Sequence, residues 1–306
     1  VARIAYLGPE GTFTEAALLK MCAAGVVPGA GAAQPIPTDS TPAALAAVRD
    51  GSADFACVPI ENSIEGSVLP TLDSLANGSP LQIYAELTLD VAFSIVVRDG
   101  RDAASVRTVA AFPIAAAQVR RWLAQHLPAA GLVPAQSNAA AAQDVAAGRV
   151  DAGVSTALAA QRYGLSTLAD GVVDEANART RFVLVGRPGV PPARTGADRT
   201  SVVLRIDNSP GALVSAMSEF GIRDIDLTRI ESRPTRTELG TYVFFLDCVG
   251  HIDDSAVAEA LKAVHRRCVD VRYLGSWPTE SATGAQPPQL DEADRWLTRL
   301  REGDPT

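Results

Sequence analysis

Histidine and cysteine are scarce in this 306-residue chain, basic charge is outnumbered, and no long apolar run is present. Each shortage closes a class of function. The three histidines, His126, His251 and His265, lie far apart, so their spacing encodes no zinc site. The four cysteines, Cys22, Cys57, Cys248 and Cys268, form no C-x-x-C pair. Three of them sit in apolar runs, where a thiol behaves as a small hydrophobe, and a disulfide framework is not expected. Lys and Arg number 27 against 35 Asp and Glu, a formal net charge of −8 with a sequence pI near 5.0. Such a chain is a poor general binder of nucleic acid or of anionic membrane. A small anion is still admitted, because a local field can oppose the net charge. The longest uncharged stretches, residues 21–38 and 127–143, are broken by Pro and Gly. They fall short of the ~20 continuous apolar residues of a membrane span. A strand-like run follows Val1-Ala2-Arg3 directly, with no signal-peptide core, so the cytoplasm is the expected compartment.

What is there is a normal globular balance, 47% apolar and 20% charged, over a length that suits about two domains. Two stretches rich in Pro, Gly and small residues, 187–198 and 280–288, read as boundaries. Before the first, strand-like and helix-like segments alternate. Strands are expected at residues 3–7, 54–60, 92–97, 108–112, 132–136, 150–154 and 180–186. Helices are expected from about Thr14, between Ser63 and Leu75, from Pro113 through His126, after Ser137-Asn138, and after Ser155. That alternation predicts an α/β fold with largely parallel sheets. Residues 199–278 have another rhythm, β-α-β-β-α-β, the ferredoxin-like order. One face of such a sheet is left open and usually pairs with a neighbour. In the tail, Leu290, Ala293, Trp296, Leu297 and Leu300 recur at helical spacing, which predicts a short helix docked on the body or on a partner subunit.

Four polar clusters sit at strand ends in the large part. Gly8-Pro9-Glu10-Gly11-Thr12-Phe13-Thr14 combines a tight turn with a helix start, a cradle for an anion. An ordinary capped βα turn accounts for the same residues, and from the local sequence alone it is the simpler account. Pro59-Ile60-Glu61-Asn62-Ser63 offers an acid and two neutral donors, or a helix cap. Ser155-Thr156 reads first as a cap. In Arg179-Thr180-Arg181-Phe182, Arg181 could clamp a carboxylate or be a solvated surface group. Their shared position is more telling than any one of them, because open α/β sheets bind ligands beyond the carboxyl ends of strands. The set holds hydroxyls, amides, a Glu and an Arg, with no Cys–His pair. Residue chemistry alone reaches a small-acid binder or a lyase-type enzyme.

Together these motifs resemble those of monofunctional prephenate dehydratase of the actinobacterial, mycobacterial type. The resemblance rests on Gly8-Pro9-Glu10-Gly11-Thr12-Phe13, Pro59-Ile60-Glu61-Asn62-Ser63, Ser155, Tyr163-Gly164-Leu165, and Asn177-Ala178-Arg179 followed by Thr180-Arg181-Phe182. Asn208, Pro210-Gly211-Ala212-Leu213 and Glu231-Ser232-Arg233-Pro234 resemble an ACT regulatory domain. It spans about residues 3 to 278. Two positions depart from it. Phe112-Pro113-Ile114 stands where many members carry a His-Pro-Gln-type turn, and Phe93 where some relatives have a polar residue or His.

The resemblance implies a two-lobed, periplasmic-binding-protein-like catalytic domain over residues 1–187, with lobe 1 about 1–75 and 171–187 and lobe 2 about 76–170. A linker (188–198), a ferredoxin-like ACT domain (199–278) and a tail (279–306) follow. It implies a carbon-oxygen lyase (hydro-lyase) that converts prephenate to phenylpyruvate, water and CO2, needs no cofactor or metal, and is feedback-regulated by L-phenylalanine. With no chorismate mutase domain ahead of it, a single activity is expected. Thr180 would contact the departing hydroxyl, with Glu61 an alternative acid. Arg181 and the backbone around Thr12, Phe13 and Thr14 would bind carboxylates, Asn62, Ser63 and Ser155 would supply neutral donors, and Phe182 would pack. Asn208, Pro210, Gly211, Ala212, Leu213, Glu231, Ser232 and Arg233 would hold the effector, in a homodimer or homotetramer paired through ACT domains. An arogenate dehydratase, a non-catalytic amino-acid sensor and a secreted solute-binding protein are the competing readings.

Overall fold

The computed structural model describes residues 1–29, 32–175, 178–235, 240–279, 284–288 and 291–304. Asn177 and Leu290 lie outside these residues, as do residues 280–283 of the 280–288 stretch. The elements run β1 (Ala2–Leu7), α1 (Phe13–Ala23), β2 (Ala33–Thr38), α2 (Thr41–Asp50), β3 (Phe55–Asn62), β4 (Gly66–Ser67), α3 (Leu69–Ala76), β5 (Gln82–Asp90) and β6 (Phe93–Val97). Next come β7 (Thr108–Ala111), α4 (Pro113–Gln118), α5 (Arg120–His126), β8 (Gly131–Pro134), α6 (Asn138–Ala146), β9 (Ala152–Ser155), α7 (Ala157–Arg162), β10 (Ser166–Val172) and β11 (Arg179–Gly186). The last third holds β12 (Asp198–Arg205), α8 (Ala212–Gly221), β13 (Leu227–Pro234), β14 (Tyr242–Val249), α9 (Ser255–Arg267), β15 (Asp270–Pro278) and α10 (Asp291–Arg301). They form two compact units, Val1–Leu72 with Leu87–Leu184, and Asp73–Glu86 with Val185–Thr306.

Two sheets organise the first unit. The first has the order β2-β1-β3-β11-β5, with β4 paired to β3. β1 runs parallel to both β2 and β3, and α1 and α2 pack on this part of the sheet. The second has the order β10-β6-β9-β7-β8. It is mixed, not largely parallel as expected. β7 is parallel to β8 and β9, while β6 is antiparallel to both β9 and β10. The cause is the chain's route. The resemblance puts the crossing into the second lobe near residue 76, but β5 completes the first sheet and the chain enters the second only at Phe93.

The second sheet is buried on both faces. Phe93, Ile95 and Val97 join the core under α4 and α5, and Val96 joins the core under α6 and α7. That explains why β6 is apolar on both faces, with Ser94 its one polar residue. At Gly153 the backbone of α6 comes so close that an added Cβ would lie 3.0 Å from the Ala141 carbonyl oxygen. The helix expected from Pro113 to His126 is two helices. Val119 leaves the helical region (φ −124°, ψ 11°), and the Gln118 carbonyl accepts from the Asp174 N–H at 2.6 Å. The Asp174 carboxylate then accepts from the Arg121 N–H at 2.7 Å and caps the restart.

The second unit contains the expected ferredoxin-like order as a sheet β13-β14-β12-β15, antiparallel throughout. Val202, Leu204 and Leu246 on one face pack with Phe220 of α8 and Val257 and Val264 of α9. Residues Asp73–Glu86 belong to this unit, where the Trp277 Nε1–H donates to Glu86 at 3.0 Å. α10 forms, but its apolar side is not docked on the body. Trp296 is 52% exposed, and the helix is tied by the Ser255 hydroxyl donating to Asp294.

All four cysteines are free thiols. Burial pushes the Cys57 thiol upward, and pushes Cys248 up to about 12. Native protein treated with iodoacetamide at neutral pH is therefore expected to be labelled at the half-buried Cys22 and Cys268 only. Cys57 and Cys248 should react once the chain is unfolded, and native labelling of either would contradict this packing.

Candidate active site

The turn between β1 and α1 is the most constrained piece of the first unit. Thr12 caps α1, accepting from the Glu15 N–H at 3.3 Å and donating to the Leu7 carbonyl at 3.0 Å. Gly11 has φ +90°, and a Cβ there would meet the Ala159 Cβ at 2.9 Å. Its N–H donates to the buried Glu15 carboxylate at 2.6 Å, and its carbonyl accepts from the Thr156 hydroxyl at 2.6 Å. The same hydroxyl caps α7. Tyr163 donates to the Glu10 carbonyl at 3.1 Å, and Arg162 pairs with both Glu15 and Glu10. Phe13 stacks edge-on against Phe93, with ring centroids 5.6 Å apart. Burial, helped by the Glu15 charge, pushes the Tyr6 phenol well above its ordinary range.

This turn walls a cavity of about 920 Å3. Thr12, Phe13 and Thr14 line one side, and Thr38 and Asp39 the next. Phe112, Gln136, Ser137, Asn138, Gln143 and Tyr163 line the rest. Two helices begin at it, α1 behind Thr12 and α6 behind Ser137, whose hydroxyl accepts from the Ala140 N–H at 3.0 Å. No Lys or Arg lines it among the described residues. Free N–H groups at the two helix starts are therefore its positive ends.

A second group forms where β3 and β11 lie side by side. The Asn62 Nδ2 donates to the Thr180 hydroxyl at 2.8 Å. The Asn62 Oδ1 accepts from the Ile64 and Glu65 N–H groups at 2.8 and 3.0 Å. Those two bonds fix which end of the amide faces Thr180. Arg181, 8% exposed, pairs with Glu61 at 3.0 Å. Ser63 exchanges bonds with the backbone of Arg179, accepting from its N–H at 2.9 Å and donating its own N–H to its carbonyl at 2.8 Å. Phe182 is buried. Ser155 is fully buried, and its hydroxyl donates to the Asn138 carbonyl at 2.6 Å.

The predicted residues thus fall into sets. Thr12, Phe13 and Thr14 line the cavity, whereas Glu61, Asn62, Ser63, Thr180 and Arg181 gather at the β3–β11 ends outside its lining. Among the described residues no group of three His, Cys, Asp or Glu side chains could hold a metal ion. Sequence reasoning missed Thr38, Asp39, Gln136 and Gln143 as lining residues. Thr38 ends, and Asp39 follows, a strand that two prolines disguise, and Gln143 is one polar residue in an Ala-rich helix. Phe112, noted only as a departure, is part of the wall.

A prephenate dehydratase family profile matches residues 4–189, and an ACT domain profile matches residues 200–266. The chain belongs to the prephenate dehydratase family. It is 77% identical to curated prephenate dehydratases from Mycobacterium sp. strain JLS, over 99% of this chain and 98% of that one, and from Mycobacterium tuberculosis H37Rv, over 100% and 96%. The crystal structure of the Arthrobacter aurescens prephenate dehydratase in complex with L-Phe superposes with a TM-score of 0.87 at 40% identity, covering 98% of this chain and all of the other. The activity that goes with membership is that of a hydro-lyase acting on prephenate, and the two-lobed fold with a C-terminal ACT domain is the family's.

In the dehydratase's ACT domain a pocket of about 260 Å3 opens where α8 starts. Asn208, Gly211, Ala212 and Leu213 line it, together with Thr241, Tyr242 and Phe244. Gly211 caps α8 with φ +80° and no side chain to satisfy the first N–H groups. Pro210, Glu231, Ser232 and Arg233 are outside this lining, and Arg233 pairs with Asp73 at 2.9 Å.

Glu15→Ala removes the acceptor of Gly11 and the partner of Arg162 together. A loss of about 3 kcal/mol in unfolding free energy is expected, as for breaking a buried ion pair. Urea denaturation of the variant checks it, and a loss under 1 kcal/mol would show that the turn is held by other contacts.

Proposed function

We propose that Thr180 hydrogen-bonds the departing ring hydroxyl of prephenate and relays the proton it leaves with. The reading rests on one observation. Asn62 is anchored through its oxygen and donates to Thr180, so the threonine oxygen is already an acceptor and its O–H is free to point at a ligand. Among the described residues it has no other hydrogen-bond partner. As the C–O bond breaks, water leaves with that proton, the ring carboxylate departs as CO2, and its bonding electrons complete the aromatic ring. The hydroxyl regains its proton from solvent. A threonine is a weak acid, so the gain of aromaticity supplies the drive and Thr180 supplies direction.

Glu61 is engaged by Arg181, which supports Thr180 rather than Glu61 as the donor and makes Arg181 a positioning residue. The substrate's two carboxylates go to the N–H groups at the starts of α1 and α6, each helix end contributing ~0.3–1 kcal/mol. Phe13 and Phe112 pack against the ring and exclude water.

L-Phenylalanine regulates the enzyme from the ACT pocket, with its carboxylate at the N–H groups behind Gly211 and its ring toward Leu213 and Phe244. Exposed Val214, Ile222 and Val269 on that domain suit pairing with a second copy. No helix among the described residues is long and apolar enough to cross a membrane.

Thr180→Ser is expected to keep kcat within about tenfold of wild type, and Thr180→Ala to lose about 10²–10⁴. Phenylpyruvate formation from prephenate checks both, and wild-type activity in Thr180→Ala removes the residue from the mechanism. Equilibrium dialysis should detect L-phenylalanine binding to the full chain. No binding by an active enzyme would leave the catalytic reading intact and remove the regulatory one.

A further inference from the structure

The last helix, α10, carries an apolar stripe that its own unit leaves outward. Ala293, Trp296, Leu297 and Leu300 follow the i, i+3, i+4, i+7 spacing of a helix face made for packing. Trp296, Leu297 and Leu300 are nonetheless exposed. The helix is held from its polar side, where one Asp294 oxygen accepts from the Ser255 hydroxyl at the start of α9. The charges beside the stripe have an order. A turn of 100° per residue puts Glu292 and Arg299 on one flank, and Asp294 and Arg301 on the other. On each flank the acid comes near the start of the helix and the arginine in its last turn. Among the described residues the side chains of Glu292, Arg299 and Arg301 have no partner.

We propose that α10 is an interface for a second copy of this chain, the two helices lying antiparallel with Trp296, Leu297 and Leu300 between them. The argument is self-complementarity. A helix with acid before base on both flanks matches itself turned end for end. About a two-fold axis between Trp296 and Leu297, Ala293 of one copy meets Leu300 of the other, small against large, and Trp296 meets Leu297. The same axis brings Glu292 toward Arg299 on one flank and Asp294 toward Arg301 on the other. Side by side in the same direction, each charge would meet its like. The two-fold arrangement uses the stripe up in a closed pair, so no open-ended assembly follows. A helix of 11 residues is about 16 Å long. The contact is therefore small beside the ~1,000 Å2 of a lasting interface, and it forms a weak, salt-sensitive association step.

The test is sedimentation equilibrium of the full chain at low salt over a wide span of protein concentration. Arg299→Glu makes one flank wholly acidic, and Glu292→Arg makes the same flank wholly basic. Each alone is expected to weaken the association step about tenfold, because the two-fold axis repeats every repulsion. An equimolar mixture of the two variants should associate at least as tightly as wild type, since acidic flanks then meet basic ones. That rescue also shows that neither variant has lost its helix. Leu300→Asp breaks the stripe itself and should weaken the step by at least as much. Association unchanged in both Arg299→Glu and Leu300→Asp overturns the proposal. So does a mixture no tighter than its components, which would mean that the stripe serves a different protein or another part of the chain. A wild-type chain that stays monomeric at every concentration overturns it as well.

Discussion

Everything in the first unit depends on how the β1–α1 turn is held by the start of α7. Gly11 is fixed through its N–H by Glu15, through its carbonyl by Thr156, and through its α-carbon by the close approach of Ala159. A glycine is required because its φ is positive and because no side chain fits against Ala159. Arg162 then ties the same helix to Glu15 and Glu10. This grip brings the starts of α1 and α6 to one cavity. With no lysine or arginine in the described lining, the positive ends that this cavity offers a dianion in the proposed reading are backbone dipoles.

The Asn62–Thr180 group follows a second constraint, the pairing of β3 with β11. It sets Asn62 beside Thr180 and Glu61 beside Arg181, although each pair is far apart in the chain. Asn62 is useful because it is itself satisfied: two backbone N–H groups hold its oxygen, so its amide can only donate toward Thr180. A threonine oriented in this way needs no unusual acidity. In the proposed mechanism it has only to meet a leaving oxygen whose departure aromatises the ring.

Legibility in the sequence followed how local the cause was. Ser137 caps α6 and Pro113 opens α4, both local effects that the residues announce. The β-α-β-β-α-β order of the ACT domain was equally plain. β2 was not, because Pro35 and Pro37 argue against a strand. It exists as an edge strand that needs ladder bonds on one side only. β10 was hidden by its polar residues, Gly171 and two register shifts. The break at Val119 depends on Asp174, a residue no local window includes. Among site residues, the four polar clusters were visible as strand-end motifs. That Arg181 answers Glu61 and that Ser155 is spent on the Asn138 carbonyl are tertiary facts.

The central claim is that Asn62, by donating, leaves the Thr180 proton for the substrate. Asn62→Asp tests it most directly. The carboxylate keeps the two bonds from the Ile64 and Glu65 N–H groups but accepts from Thr180 and turns the hydroxyl proton away. Steady-state kinetics of phenylpyruvate formation should then show kcat reduced by about 10² or more with KM little changed. A folded Asn62→Asp enzyme with wild-type kcat would contradict the account.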